Sequence, residues 1–133
     1  MKLLSKIFLI SVLCIGLTSC EDDQEEVDSA IIGRSWTGDV GMEDYDGEPV
    51  LSTFSFGADG FGEEYQYYLD GEFCDKFRFQ WWWEDSYNRN LILDYGKNGK
   101  SYMDDVRIIG DELWGTFYFS DDSPGFNFTL YME

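Results

Sequence analysis

The chain has 133 residues, enough for one hydrophobic core, and its 27 acidic residues against nine basic ones give a formal charge of −18. Such an acid excess excludes nucleic acid as a partner, because phosphate binding needs Lys and Arg, and it equally opposes electrostatic adhesion to anionic lipid. Histidine is absent, which removes Ser-His-Asp and Cys-His catalysis and histidine-based zinc sites.

Residues 1–19 read as a targeting segment. Lys2 and Lys6 supply positive charge, and Ile7 to Gly16 is apolar apart from Ser11. A permanent membrane span needs roughly 20 apolar residues, more than this run offers. A buried amphipathic helix is the competing reading, but the run is apolar on every face and stops at small residues. Leu17-Thr18-Ser19-Cys20 then resembles the bacterial lipobox, in which the cysteine thiol receives diacylglycerol and cleavage makes it the new N-terminus. One acyl chain binds a membrane marginally, whereas two or more hold firmly. Cys20 is therefore the expected lipid attachment and the membrane the expected partner, with ordinary secretion and a free Cys20 as the alternative.

Cleavage would remove two lysines, leaving seven basic residues against 27 acids, 7 − 27 = −20. That charge favours solubility and a monomer. With Cys14 in the leader and Cys20 acylated, Cys74 has no disulfide partner and reads as a small buried or edge residue.

Residues 20–30 read as a tether. Six acids fall within Glu21–Asp28, a density that keeps a segment solvated, and the span to Ile31 reaches at most about 40 Å. An acid cluster directly after the lipidated cysteine resembles the surface-export signal of Bacteroidetes lipoproteins, which implies the outer face of the outer membrane. A plain solvated linker is the simpler alternative.

From residue 31 to 133 the pattern is that of strands, rich in Phe, Tyr, Trp, Val and Ile and interrupted by Gly and Asp. Eight are expected: Ile32–Val40, Val50–Phe56, Phe61–Tyr68, Lys76–Glu84, Asn90–Tyr95, Ser101–Ile109, Glu112–Phe119 and Phe126–Tyr131. Gly57-Ala58-Asp59-Gly60, Leu69-Asp70-Gly71, Gly96-Lys97-Asn98-Gly99 and Gly110-Asp111 supply tight turns. No connection leaves room for a crossover helix, so an all-β, antiparallel, up-and-down barrel of eight strands is expected.

Alternation assigns the faces. On the fourth strand Phe77, Phe79, Trp81 and Trp83 share the aromatic, inward face, and Trp82 points out. Val50, Phe54 and Phe56 group together, as do Leu113, Gly115, Phe117 and Phe119, and Phe126, Phe128 and Leu130. The expected core is Trp36, Phe54, Phe56, Phe77, Phe79, Trp81, Phe117, Phe119 and Phe128. Trp114, Tyr118 and Tyr131 are expected to face out.

Several of these pieces resemble the small lipocalin-like lipoproteins of the Bacteroidetes. Gly33-Arg34-Ser35-Trp36 is similar to the lipocalin Gly-x-Trp start with one residue extra. Phe54-Ser55-Phe56 followed by Asp59-Gly60-Phe61-Gly62, then Phe79-Gln80-Trp81, Leu91-Ile92-Leu93-Asp94-Tyr95 and Leu113-Trp114-Gly115, continue the series. The resemblance implies an eight-stranded barrel behind a lipobox that binds a small apolar molecule.

Little in the chain suggests catalysis. The carboxylate pairs Glu63-Glu64, Glu84-Asp85, Asp104-Asp105 and Asp121-Asp122 are unremarkable in so acidic a sequence, and strand neighbours point to opposite faces. Asp44-Tyr45-Asp46-Gly47-Glu48 has oxygen ligands at calcium-like spacing but lacks the twelfth-position glutamate of an EF-hand, so it reads as a polar loop. No metal, cofactor or catalytic residue is expected. Two functions stay open. One is a ligand-binding barrel, non-catalytic, whose interior is mostly filled by aromatics and whose pocket lies at a mouth lined by Tyr65, Tyr67, Trp83 or Trp114. The other is a surface-displayed protein- or glycan-interaction or inhibitor module, making contact through Trp82, Tyr118, Tyr131 and acidic loops. Against a contact role, outward aromatics also pair across strands simply to stabilise the sheet.

Overall fold

The computed structural model describes residues 27–85, 87 and 89–133. The leader, the lipobox with Cys20 and the tether as far as residue 26 lie outside the described residues. Eight strands follow one another: β1 (Ser35–Gly38), β2 (Val50–Phe56), β3 (Phe61–Tyr68), β4 (Phe73–Trp83), β5 (Leu91–Asp94), β6 (Lys100–Ile109), β7 (Glu112–Tyr118) and β8 (Phe126–Met132). Each pairs antiparallel with the next, and β8 returns to β1 through Trp36↔Met132 and Thr37↔Tyr131, closing the barrel. Closure removes the unpaired sheet edges that an open sheet would expose.

The turns form where glycine permits positive φ. Between β2 and β3, Gly60 stands at φ +86°, the Gly57 amide donates to the Phe61 carbonyl at 2.7 Å, and the Asp59 carboxylate accepts from the Phe61 amide at 3.1 Å. The 96–99 turn is a single 3-10 turn between two positive-φ glycines.

The first strand is shorter than expected and the reason is local. Residues 27–31 form a helical turn, and Gly33 at φ +76° redirects the chain before pairing begins at Ser35. Beyond Gly38 the Asp39 carboxylate accepts from the Gly41 amide at 2.8 Å, which bends the chain away into the 39–49 loop. Part of the expected tether is thus structural. Val27 packs on the core, and the Trp83 indole N–H donates to the Asp28 carboxylate at 2.8 Å.

A ladder of rings fills the interior. Trp83 meets Trp81 at 6.3 Å between centroids, Trp81 meets Phe56 at 5.4 Å, and Phe56 meets both Phe54 and Phe79. Phe54 continues to Phe117 at 6.3 Å, and Phe79 to Tyr95 at 5.3 Å. Edge-on and tilted contacts dominate, the geometry that ring quadrupoles favour. Trp36 is buried and donates its indole N–H to the Ile31 carbonyl at 3.2 Å. The expected core residues Phe54, Phe56, Phe79, Trp81, Phe117 and Phe128 are all buried, and Phe77 is half-buried against Tyr95.

Phe119 is the exception. It is 55% exposed, because β7 ends at Tyr118 and the alternation that would have turned Phe119 inward stops with it. In β6 a bulge between Asp104 and Arg107, with Asp105 at φ 54°, resets the parity. Ser101 and Met103 face in before the bulge and Val106 after it.

Candidate ligand-binding mouth

The two ends of the barrel are closed differently. Ile31, from the 27–31 turn, is fully buried in the core and stoppers the end where β2, β4, β6 and β8 finish. At the opposite end the 39–49 loop and the 119–125 connection bound a cleft of about 430 Å³. Val40 and Phe117, both members of the buried core, line its floor, and Met42, Phe119, Pro124 and Phe126 form its walls. Glu43 and Asp44 stand at the rim.

The backbone of the rim is fixed by its own side chains. Asp44 accepts from the Asp46 amide at 2.9 Å and the Glu48 amide at 2.8 Å through one carboxylate oxygen, and from the Tyr68 hydroxyl at 2.8 Å through the other. The Glu48 amide first, then the Tyr68 hydroxyl, hold the Asp44 carboxyl below the usual carboxylate range. Tyr68 is pushed well above the ordinary phenol value by its hydrogen bond to Cys74, then by Asp44. The segment resembling a calcium loop therefore spends its leading carboxylate on its own turn, and no cluster among the described residues is arranged to hold a metal. Gly41, at φ +86°, lets the Phe126 ring lie against bare backbone; a Cβ there would stand 2.8 Å from the ring.

Beneath this end the barrel lining turns polar. Glu64 is 3% exposed and accepts three hydrogen bonds: from the Ser52 hydroxyl at 2.8 Å, the Gln66 amide at 2.9 Å and the Tyr95 hydroxyl at 2.6 Å. Burial, and then the neighbouring Glu64, push the Tyr95 phenol well above its ordinary value, so Tyr95 stays a donor. Ser101, also buried, donates to the Phe119 carbonyl at 2.8 Å and ties β6 to the cleft wall.

None of the four expected mouth residues lines this cleft. Inward positions on β3 are Gly62, Glu64 and Gln66, so Tyr65 and Tyr67 lie on the outer wall beside Phe73, with the Lys76 ammonium 5.1 Å from the Tyr65 ring. Register decides this. Phe56 faces in and pairs with Gly62, whose missing side chain makes room for the Phe79 ring; a Cβ would lie 2.5 Å from it. Trp114 is also on the outer wall, donating to Glu112 at 3.0 Å, and Trp83 belongs to the stoppered end. The cleft residues Phe126 and Phe119 were legible only as members of inward sets. Strand ends, rather than strand faces, place them at the mouth.

The expected contact residues do face out. Trp82 is 39% exposed and Tyr131 is 55% exposed, with Tyr118 half-buried. Register aligns Trp82, Ile92, Tyr102 and Tyr118 across β4 to β7. Ile92 is buried although its neighbours Leu91 and Leu93 hold the inward positions, as expected for an outer residue flanked by two rings. Tyr131 lies apart from this row, in a groove of about 570 Å³ on the wall around Thr37, Leu51 and Thr129.

No helix among the described residues is long and apolar enough to cross a membrane. The fold defines a closed, eight-stranded antiparallel β-barrel with one end stoppered and one end cleft. Comparison of the chain with protein-family models, with curated proteins and with solved structures returned no match.

Proposed function

We propose that the chain is a lipid-anchored, lipocalin-like lipoprotein of a bacterial outer membrane, displayed at the cell surface. In this reading its barrel holds a small apolar ligand at the mouth without converting it. The carrying observation is the cleft floored by Val40 and Phe117, whose volume of about 430 Å³ falls within the range of small-molecule sites, about 300–1,000 Å³. The packed ring ladder below it confines any ligand to the mouth. The lipobox at Leu17–Cys20 and the acids that follow support the anchor and its placement, as does the resemblance to Bacteroidetes lipoproteins.

Two measurements test this reading. Mass spectrometry should find Cys20 acylated at a new N-terminus, and Cys20→Ser should move the protein out of the membrane fraction. Calorimetric titration with a panel of medium-chain amphiphiles should give saturable binding that Phe119→Ala weakens. An unmodified terminus would defeat the anchor, and a flat titration would defeat the ligand.

A second reading is favoured by the aligned outer row Trp82–Ile92–Tyr102–Tyr118, a shape suited to a protein or glycan contact. Capture of a surface partner that Trp82→Ala abolishes, together with a flat ligand titration, would put it first.

A further inference from the structure

The apolar cleft carries its charge on one side of the ledger only. Among the residues lining it the ionisable groups are Glu43 and Asp44, both acids. The 39–49 loop that forms one wall has five acids (Asp39, Glu43, Asp44, Asp46 and Glu48) and no base. The opposite wall, the 119–125 connection, adds Asp121 and Asp122, again with no base. Asp44 is held ionised by its amide and phenol donors but has both oxygens engaged within the protein. Glu43 is exposed at the rim, with its carboxylate available to solvent or to a ligand.

Resting on the mouth-binding reading above, we propose that the cleft is selective for an amphipathic cation: an apolar body seated on Val40, Met42, Phe117 and Phe126, with an ammonium head at Glu43. A carboxylate amphiphile of the same length would bring its head into a rim of its own sign. An apolar floor supplies most of the affinity by burial, and the rim charge decides between head groups. Attraction for one exposed head group and repulsion of the other together separate the two ligands by about tenfold at low salt.

The test is calorimetric titration of the intact chain with octylamine, octan-1-ol and octanoate, each below its aggregation threshold. The expected order is amine, then alcohol, then carboxylate, with the amine-to-carboxylate ratio near tenfold at low salt and narrowed at high salt. Glu43→Gln should shrink the amine-to-alcohol ratio, whereas Phe119→Ala should weaken all three. Equal affinities, or octanoate binding tightest, would overturn the charge selectivity and leave the mouth-binding reading standing. No binding by any of the three would remove both. An amine preference untouched by Glu43→Gln would trace it to the overall charge of the chain and overturn the assignment to this rim.

Discussion

At the stoppered end Ile31, Trp36, Phe56 and Trp81 pack as an apolar plug, and the two indole N–H groups find backbone carbonyls at Ile31 and Gly57. Toward the cleft end the same barrel wall carries Ser52, Glu64, Gln66 and Ser101, buried and bonded through side chains. One half is held by contact area, which tolerates no void; the other by a network in which every acceptor needs its donor. The plug is packed solid, whereas the polar side chains near the cleft lie beside the ring ladder, which itself reaches the cleft floor through the Phe54–Phe117 contact. The two ends of one cylinder are thus closed by different means, an apolar plug at one and a bonded polar cluster beside an open apolar cleft at the other.

The largest expected effect lies in the plug. Trp36→Ala removes a buried indole and its bond to Ile31, and denaturant unfolding should show a loss of about 3–5 kcal/mol. Next comes the polar layer. Glu64→Ala strands the donors of Ser52, Gln66 and Tyr95, and the same measurement should show about 3 kcal/mol, with Glu64→Gln costing visibly less. If Glu64→Ala proved neutral, the distinction between the two halves would dissolve.

Gly41→Ala sharpens the comparison from the cleft side. It forces a side chain into positive φ and against the Phe126 ring, so stability should fall by about 1–2 kcal/mol and ligand affinity should fall with it. Trp83→Phe keeps a ring at the stoppered end but deletes the bond to Asp28, at a cost of about 1 kcal/mol and with no change at the mouth.

The smallest effects concern pH. Asp44 has a folded pKa below its ordinary 3.8, so its contribution is present above that value and is lost as pH falls through the lower folded one. Asp44→Asn should therefore flatten the acid limb of a thermal-stability profile below pH 3.8. Asp104 behaves oppositely. Its pKa is raised, first by burial and then by Glu84, Asp105 and Asp85, so its charge opposes folding above its ordinary pKa and that penalty fades as pH falls through the raised one. Asp104→Asn should raise the neutral-pH Tm slightly and leave the acid limb unchanged.

Eight strand-like runs joined by short glycine turns made the barrel legible, and the alternation of rings on β4 told which face turns inward. A strand with Phe77, Phe79, Trp81 and Trp83 on one face must bury that face, and short glycine turns at 57–60 and 96–99 fold β3 back on β2 and β6 back on β5 as antiparallel hairpins. What such a pattern cannot supply is the parity of a strand with competing signals. The β3 sequence offers Phe61, Tyr65 and Tyr67 on one face and Gly62, Glu64 and Gln66 on the other, and hydrophobicity favours the wrong one. Pairing with β2 reverses it, because cross-strand partners share a face and Phe56 is opposite Gly62. The cleft was hidden for a related reason: Phe119 and Phe126 lie where strands stop, and no periodicity within a strand states where it ends. Local sequence thus determined which elements form and how they turn, since those depend on neighbours a few residues apart. The buried carboxylate and the mouth were decided by tertiary pairing, since they depend on which distant strand each residue meets.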